Sequence, residues 1–257
     1  MLNFKKSADN LKEEELKVSP CPVCTRLVAH VYYMQDASTK IKSKWFSCSC
    51  GIIFNSTKPT KVYDQKYRVN HKPSKDEKDQ YEYPVRIYSP IIDDLTYGRR
   101  VLIVGQNNKY QEDALKYRGW VPTVIDKNMS LPPSNNLILA DFETYEFPED
   151  QKYNMIWFYH TFECLSNPIG SLEACSKLLA EDGIIFIASP DTDFINTRSS
   201  SVFIHWKHDE NYIMWNRSSI TKQLEKLGFN VMLSRQNYEP RFPIWDDFHL
   251  IAQKSFF

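Results

Sequence analysis

Between Arg99 and the carboxyl terminus the chain alternates short apolar runs with stretches of helical composition, and this alternation restricts the fold more than any other feature. Val101–Gly105 is a continuous apolar run closing on glycine, followed by a helix-compatible stretch from Tyr110 to Arg118. Val121–Asp126 is a second run ending in an acid, and Asn136–Ala140 a third, closed by Asp141. Tyr153–Tyr159 is a fourth, with a helix expected over Pro168–Leu179, and Gly183–Ala188 is a fifth. Strands of this length separated by helices predict a parallel sheet covered on both faces. The alternation breaks near the end. After a helix at Ser219–Leu227, closed by Gly228, the runs Asn230–Ser234 and Phe248–Gln253 are joined by a loop carrying Pro240 and Pro243. With no helix between them, these two are expected to pair as an antiparallel hairpin at the sheet edge.

Open α/β sheets bind ligands beyond the carboxyl ends of their strands. Gly105 lets a ligand approach the backbone, and Asp126, 21 residues later, suits a ribose hydroxyl pair. Asp141, followed by Phe142, offers an acid and a ring to an adenine. Turns after strands commonly use Gly and Asp, but the order and spacing together favour an adenosine-containing ligand.

The six cysteines are unevenly spread. Four form Cys21-Pro-Val-Cys24 and Cys48-Ser-Cys50, with β-branched and aromatic stretches at Leu27–Met34 and Ile41–Phe46 between them. Two short turns on facing hairpins can each offer two thiolates to a tetrahedral zinc ion. The second pair is tighter than the usual C-x-x-C, and no βαβ context follows Cys24 for a redox role. Structural zinc is therefore expected on Cys21, Cys24, Cys48 and Cys50. Cys164 and Cys175 are expected to be buried thiols.

Net charge is zero, yet residues 1–82 carry 15 Lys and Arg against 10 Asp and Glu, and the remainder 17 against 22. The basic bias of the first part is too small for a duplex DNA binder. The amino terminus has no apolar core of a signal peptide, and no run reaches membrane-spanning length, so a cytoplasmic location without membrane association is expected. Lys58–Tyr97, charged and Tyr-rich, reads as a linker with one or two helices, part of which could cover a cleft as a lid.

The assembly resembles the class I S-adenosylmethionine-dependent methyltransferases, and within them the subset with a zinc-ribbon-like amino-terminal module, which includes sugar C-methyltransferases and small bacterial and phage enzymes. Cys21–Gly51 carries the likeness to the module and Val62–Tyr67 to the Tyr-rich segment after it. Val101–Asn108 resembles the first cofactor loop, Val124–Asn128 the ribose acid, Ala140–Glu143 the adenine loop, and Tyr153–Glu163 with Asn167-Pro168 the fourth strand and the segment after it. Leu178–Gly183, Ser189–Asp191 and His205-Trp206 through Ser219 fit later landmarks. The resemblance implies a Rossmann-like α/β fold: a seven-stranded, mostly parallel sheet with a terminal antiparallel hairpin, preceded by a small zinc-ribbon-like module. The implied organisation is a tail (1–18), the module (19–57), a helical linker or lid (58–98) and a methyltransferase-like domain (99–257). The cofactor is expected to contact Gly105, Asn107, Asp126, Asp141 and Phe142. The sequence departs from the family pattern at three places. Ile103 stands where the first loop usually has an acid, with Gln106–Lys109 in place of later glycines. Glu163-Cys164 and Glu210-Asn211 stand where Glu-His is common.

Methyl transfer needs an aligned acceptor and, for a protonated nucleophile, a base. His160 is the best candidate base, with Tyr159 and Glu163 placed to orient acceptor or cofactor; His205 and His208 read more simply as polar loop residues. No Asn/Asp-Pro-Pro-aromatic loop follows the fourth strand and no Pro-Cys nucleophile lies in the domain, which argues against adenine N6 and cytosine C5 chemistry. A small molecule or saccharide is the first expectation for the acceptor, and RNA the second. The competing classes are a catalytically silent binding or assembly protein of the same fold and, lacking a Gly-x-Gly-x-x-Gly turn, a nicotinamide-dependent oxidoreductase.

Overall fold

The structure is a computed structural model of the chain, and it describes residues 18–35, 41–58, 74–105, 109–127, 134–197, 205–207, 209–237 and 247–255. Asn107, His208 and the Val62–Tyr67 segment lie outside the described residues.

In chain order the strands are β1 (Ser19–Pro20), β2 (Leu27–Val28), β3 (Val31–Gln35), β4 (Lys42–Ser47), β5 (Ile53–Asn55), β6 (Arg100–Val104), β7 (Val121–Asp126), β8 (Leu137–Leu139), β9 (Tyr153–Tyr159), β10 (Leu179–Pro190), β11 (Ile213–Met214), β12 (Phe229–Asn237) and β13 (Asp247–Lys254). The helices are α1 (Lys75–Leu95), α2 (Lys109–Tyr117), α3 (Pro168–Leu178), α4 (Asp193–Thr197) and α5 (Arg217–Lys226).

Seven strands form the main sheet in the order β12-β13-β10-β9-β6-β7-β8. β6, β7, β8, β9 and β10 pair in parallel, while β13 runs antiparallel to both β10 and β12. The chain builds outward from β6 to β8, then returns to the other side of β6 to lay down β9 and β10. That reversal places a topological switch point between β6 and β9, where open α/β sheets hold ligands.

Alternation along the strands explains the layering. Leu102, Val104, Ile156, Phe158, Ile185, Ile187, Leu250 and Ala252 belong to one buried cluster, together with Leu172 and Cys175 of α3 and Ile220 and Leu224 of α5. Their neighbours Val101, Ile103, Met155, Trp157, Ile184, Phe186 and Ile251 point the other way, onto Val85, Tyr88 and Ile92 of α1 and Leu115 of α2. A period of two in each strand thus fills both faces. On α1 the buried positions recur at i, i+3 and i+7, the stripe that lets a helix lie on a sheet. Asp182 fixes the end of this helix by accepting from the Thr96 hydroxyl at 2.9 Å and the Tyr97 amide at 2.8 Å. Asn167 and Asn216 cap α3 and α5, the second in a reciprocal capping box with Ser219.

The cysteine-bearing segment is continuous with this body. β3, β4 and β5 form a second sheet whose fourth member is β11, from far along the chain: Ile213 and Met214 pair with Phe54 and Ile53. Cys21, Phe46, Cys48, Ile52 and Phe54 sit in the same buried cluster as Trp215, Phe162 and the central strands. Among the described residues, no helix is long and apolar enough to cross a membrane.

Candidate functional site

The four amino-terminal cysteines converge. Their sulfurs all lie within 4.8 Å of one another, with Cys21–Cys50 at 3.7 Å and Cys24–Cys48 at 3.5 Å. Two tight turns create this geometry. In the first, Thr25 N–H returns to Cys21 C=O with Thr25 at φ 61°, and the Cys24 amide donates to the Cys21 sulfur at 3.4 Å. In the second, Gly51 at φ 97° lets its amide reach Cys48 C=O at 3.0 Å, so the short Cys48-Ser-Cys50 spacing still turns both thiols inward. Cys21 and Cys48 are buried, while Cys24 and Cys50 are half-buried beside Arg26, whose Nε lies 3.4 Å from the Cys24 sulfur. A tetrahedral zinc with bonds of about 2.3 Å separates its sulfurs by about 3.8 Å, so the donor set fits that ion.

The second site lies at the carboxyl ends of the central strands. Gly105 directly follows β6 in a left-handed conformation, φ 75°, and a Cβ there would stand 2.7 Å from Thr161 Cγ2 and 2.8 Å from its Oγ1. The turns after β6 and β9 therefore meet directly, and only glycine permits the approach. Asp126, the last residue of β7, is buried, and its carbonyl accepts from Ala140 across to the end of β8. Asp141 starts a compact turn. Its carboxylate accepts the Glu143 amide at 3.1 Å and pairs with Lys127 at 3.4 Å. The Phe142 ring is buried edge-on against Phe147 and Phe158, so it supports this turn from beneath.

Charge gathers around β9, β10 and β13. His160, just after β9, has φ 50°, an uncommon conformation for a non-glycine residue and one associated with functional sites. Its ring lies between two carboxylates, with Nδ1 3.5 Å from Glu163 and Nε2 3.2 Å from Asp247. Burial alone would lower the imidazole pKa, but Asp247 and Glu163 outweigh it and raise it to about 10. Glu163, on a 3-10 turn at Phe162–Cys164, is buried and accepts the Ser189 hydroxyl at 3.2 Å. Asp247 is fully buried at the start of β13, with His249 two residues on, at 3.9 Å. His249 in turn lies 2.9 Å from the Tyr88 hydroxyl of α1. Burial, together with the His160 and Arg235 charges, lowers His249 to about 3, so it is a neutral imidazole sharing one hydrogen bond with the Tyr88 hydroxyl. Tyr159 is buried with its ring edge-on to His160, and burial with the Asp247 charge pushes its phenol well up.

His205 stacks parallel to His160 at 5.8 Å, and burial with the His160 charge holds its pKa well below the ordinary value. The sequence places His205 in a loop with no assigned partner; the structure brings it into the cluster. Cys164 and Asn211 stand where the resemblance would place histidines. They touch each other, with the Cys164 thiol 3.5 Å from Asn211 Oδ1. Cys175 is buried as expected, whereas Cys164 is half-buried. Ile103 is packed among the apolar residues beneath α1 and α2.

Asp247, His249, Tyr88 and Ser189 escape sequence reasoning. One signal was available: Asp247 and His249 occupy alternate positions of an otherwise apolar strand, and two polar groups on the same strand face need a reason. A further carboxylate, Asp191, lies buried at the end of β10, 3.3 Å from Arg217 Nε. Burial, with Asp193 nearby, raises it to about 6.

A seven-stranded sheet with one reversed strand, a glycine turn at the switch point and strand-end acids define a class I, Rossmann-like methyltransferase fold. A family profile for a methyltransferase domain matches residues 76–234, more than half of the chain, and the protein belongs to that family. Solved structures agree at the level of fold. The PH0226 protein of Pyrococcus horikoshii superposes with a TM-score of 0.56 at 13% identity, covering 76% of this chain and 100% of its own. The 1,6-didemethyltoxoflavin-N1-methyltransferase of Burkholderia thailandensis, solved with its acceptor and S-adenosylhomocysteine, gives 0.53 at 13%, covering 88% and 99%. The plantazolicin methyltransferase BpumL, solved with S-adenosylhomocysteine, gives 0.52 at 15%, covering 74% and 93%. A search of curated proteins finds no match to the sequence.

Proposed function

We propose that the protein transfers a methyl group from S-adenosylmethionine to a small-molecule acceptor, and that its four cysteines hold a structural zinc ion. The observation that carries the first part is the meeting of Gly105 with Thr161 at the switch point, flanked by Asp126 on one side and His160 on the other. In this reading the backbone at Gly105, with Asn107, faces the cofactor, Asp126 takes the ribose hydroxyls, and Asp141 with Phe142 bounds the adenine. Bound there, the cofactor would supply an electrophilic sulfonium methyl. Tyr159, His160 and Glu163 line the acceptor side and exclude water from it. Two structural relatives are named for methyl transfer to 1,6-didemethyltoxoflavin and to plantazolicin, which supports a small molecule over RNA.

The zinc reading rests on sulfur separations that match a tetrahedral thiolate site. Chemically the ion would be structural, since four thiolates leave no open position.

Titration calorimetry with S-adenosylmethionine on the zinc-loaded protein tests the proposal. Micromolar binding is expected, weakened about tenfold in Asp126→Ala by loss of a charge-assisted hydrogen bond. Absence of binding, with about one zinc per chain by elemental analysis, would overturn it. One observation favours a second reading, a catalytically silent relative: Cys164 pairs with Asn211 where acid–base histidines are common. That protein would bind the cofactor yet transfer no methyl to any acceptor in a metabolite panel.

A further inference from the structure

We infer that Asp247 and Glu163 form a two-sided clamp that keeps the His160 ring doubly protonated and fixed across the carboxyl edge of the sheet, making His160 a positioning residue and not the group that takes the acceptor's proton. The geometry carries this. One carboxylate stands against each ring nitrogen, at 3.5 Å for Glu163 and 3.2 Å for Asp247; the Asp247 approach lies outside hydrogen-bond geometry, so what it favours is the ring's positive charge. An imidazole bears that charge only with both ring nitrogens protonated. The backbone agrees: a left-handed residue persists only when its surroundings hold it, and the His160 amide donates to Ala188 C=O at 2.9 Å.

Every described group facing the ring favours the same state. From β13, Asp247 is fully buried; its carboxylate lies 3.2 Å from His160 and 3.9 Å from His249, and its charge also reaches the Tyr88 and Tyr159 phenols. His249 is neutral and turned to Tyr88, so it brings no competing charge. From the turn after β9, Glu163 is steadied by Ser189. From β9, Tyr159 offers a ring edge and stays un-ionised. From the loop before β11, His205 stacks on the ring and is held neutral by it. The cluster is thus one cation between two anions. An imidazole that already bears both protons accepts no third, so the proton leaving an O–H or N–H acceptor passes to another group or to water.

The inference rests on the methyl-transfer reading only for the word acceptor; the charge state is measurable without any substrate. The full-length zinc-loaded protein, labelled with 15N-histidine, is titrated by NMR, and His160→Asn identifies the ring signals. In the wild type both His160 nitrogens should keep imidazolium shifts through pH 8. In Asp247→Asn the midpoint should fall by about 2 pH units, the scale of one close opposite charge. A His160 that titrates between pH 6 and 7 in the wild type, or one indifferent to Asp247→Asn, overturns the proposal. Should Asp247→Asn fail to fold, Glu163→Gln, expected to lower the same midpoint, replaces it, and the wild-type titration stands alone. Calorimetry with S-adenosylmethionine on the same samples separates the two claims: a lost cofactor with an intact imidazolium defeats only the methyl-transfer reading.

Discussion

The two halves of the sheet's carboxyl edge are built on opposite plans. The β6–β7–β8 half ends in a glycine, an acid and a compact turn, and its inner strands are apolar. Its offer to a ligand is mainly backbone and shape, concentrated at the Gly105–Thr161 approach. The β9–β10–β13 half ends in His160, Glu163, Ser189, Asp191 and Asp247, most of them buried and tied to one another. Buried charges are costly unless paired and hydrogen-bonded, so this half is expensive to assemble and must be held from outside. The cysteine segment supplies part of the support. β5 pairs with β11, the Asn55 amide donates to Tyr212 C=O at 2.8 Å, and the Tyr212 amide donates to Glu163 C=O at 2.8 Å. β6 and β7 meet the cysteine segment through the shared apolar cluster, to which they contribute Leu102, Val104 and Ile125. In the proposed reading one half is a binding edge, and the other is a charged edge propped by a metal-sized cluster.

The largest effect should come from removing that prop. Because the cysteines share a core with Phe54, Phe162 and Trp215, stripping the proposed zinc with a strong chelator should lower the melting temperature by about 10 °C or more. Calorimetric scanning with and without chelator measures it. The contrast between the halves adds a sharper demand: amide exchange should accelerate first in β5, β11 and the Glu163 turn, and last in β6 and β7. Uniform acceleration would erase the distinction.

A smaller and more local effect is expected at the binding edge. Gly105→Ala places a methyl against Thr161 in a left-handed conformation, a combined cost of about 2–3 kcal/mol. Melting should fall by about 5–10 °C, and cofactor binding by at least tenfold. Adding Thr161→Ala removes both clashing atoms but not the backbone strain, so it should restore only part of the loss. Full restoration would mean that the left-handed turn is unimportant.

How much of this was legible follows from length and separation in the chain. With the exception of β8, the strands of the main sheet are five or more residues long and carry apolar runs, and such runs announce themselves. β5 and β11 are three and two residues long, and their partnership spans the chain. No local pattern marks them, so the core that the small module shares with the main sheet is not legible in the sequence. The cysteines were readable because metal-ligand chemistry imposes spacing on the sequence itself. The clamp on His160 was not. Glu163 is three residues away and was singled out, but Asp247 reaches His160 only because β13 runs back beside β10, pairing Asp247 with Pro190. Phe142 shows the same limit. The sequence offers an acid followed by a ring as a seat for an adenine, and only the fold shows the ring packed under the turn against Phe147 and Phe158.

The smallest effect tests the charged edge through the pH dependence of stability. His249 has a folded pKa lowered to about 3, against an ordinary 6.5 in the unfolded chain. Between those values the unfolded chain binds a proton that the folded protein does not, so His249 costs stability as pH falls from 6.5 toward 3. His160 has the opposite sign: raised to about 10, it contributes stability that is fully present below pH 6.5 and is lost as pH climbs through 10. Asp191, raised to about 6, binds a proton on folding between its ordinary value and 6, and so opposes His249 over the acid range. The wild-type acid limb is therefore blunted, and only a difference isolates one group. His249→Gln, which keeps a polar partner for Tyr88, should lose stability overall but show a shallower acid limb, by up to about 1 kcal/mol per pH unit between pH 6 and 4. Its alkaline limb should stay that of the wild type, because His160 and its two carboxylates remain. A change confined to the alkaline limb would show that β13 acts on His160 through His249, not through Asp247.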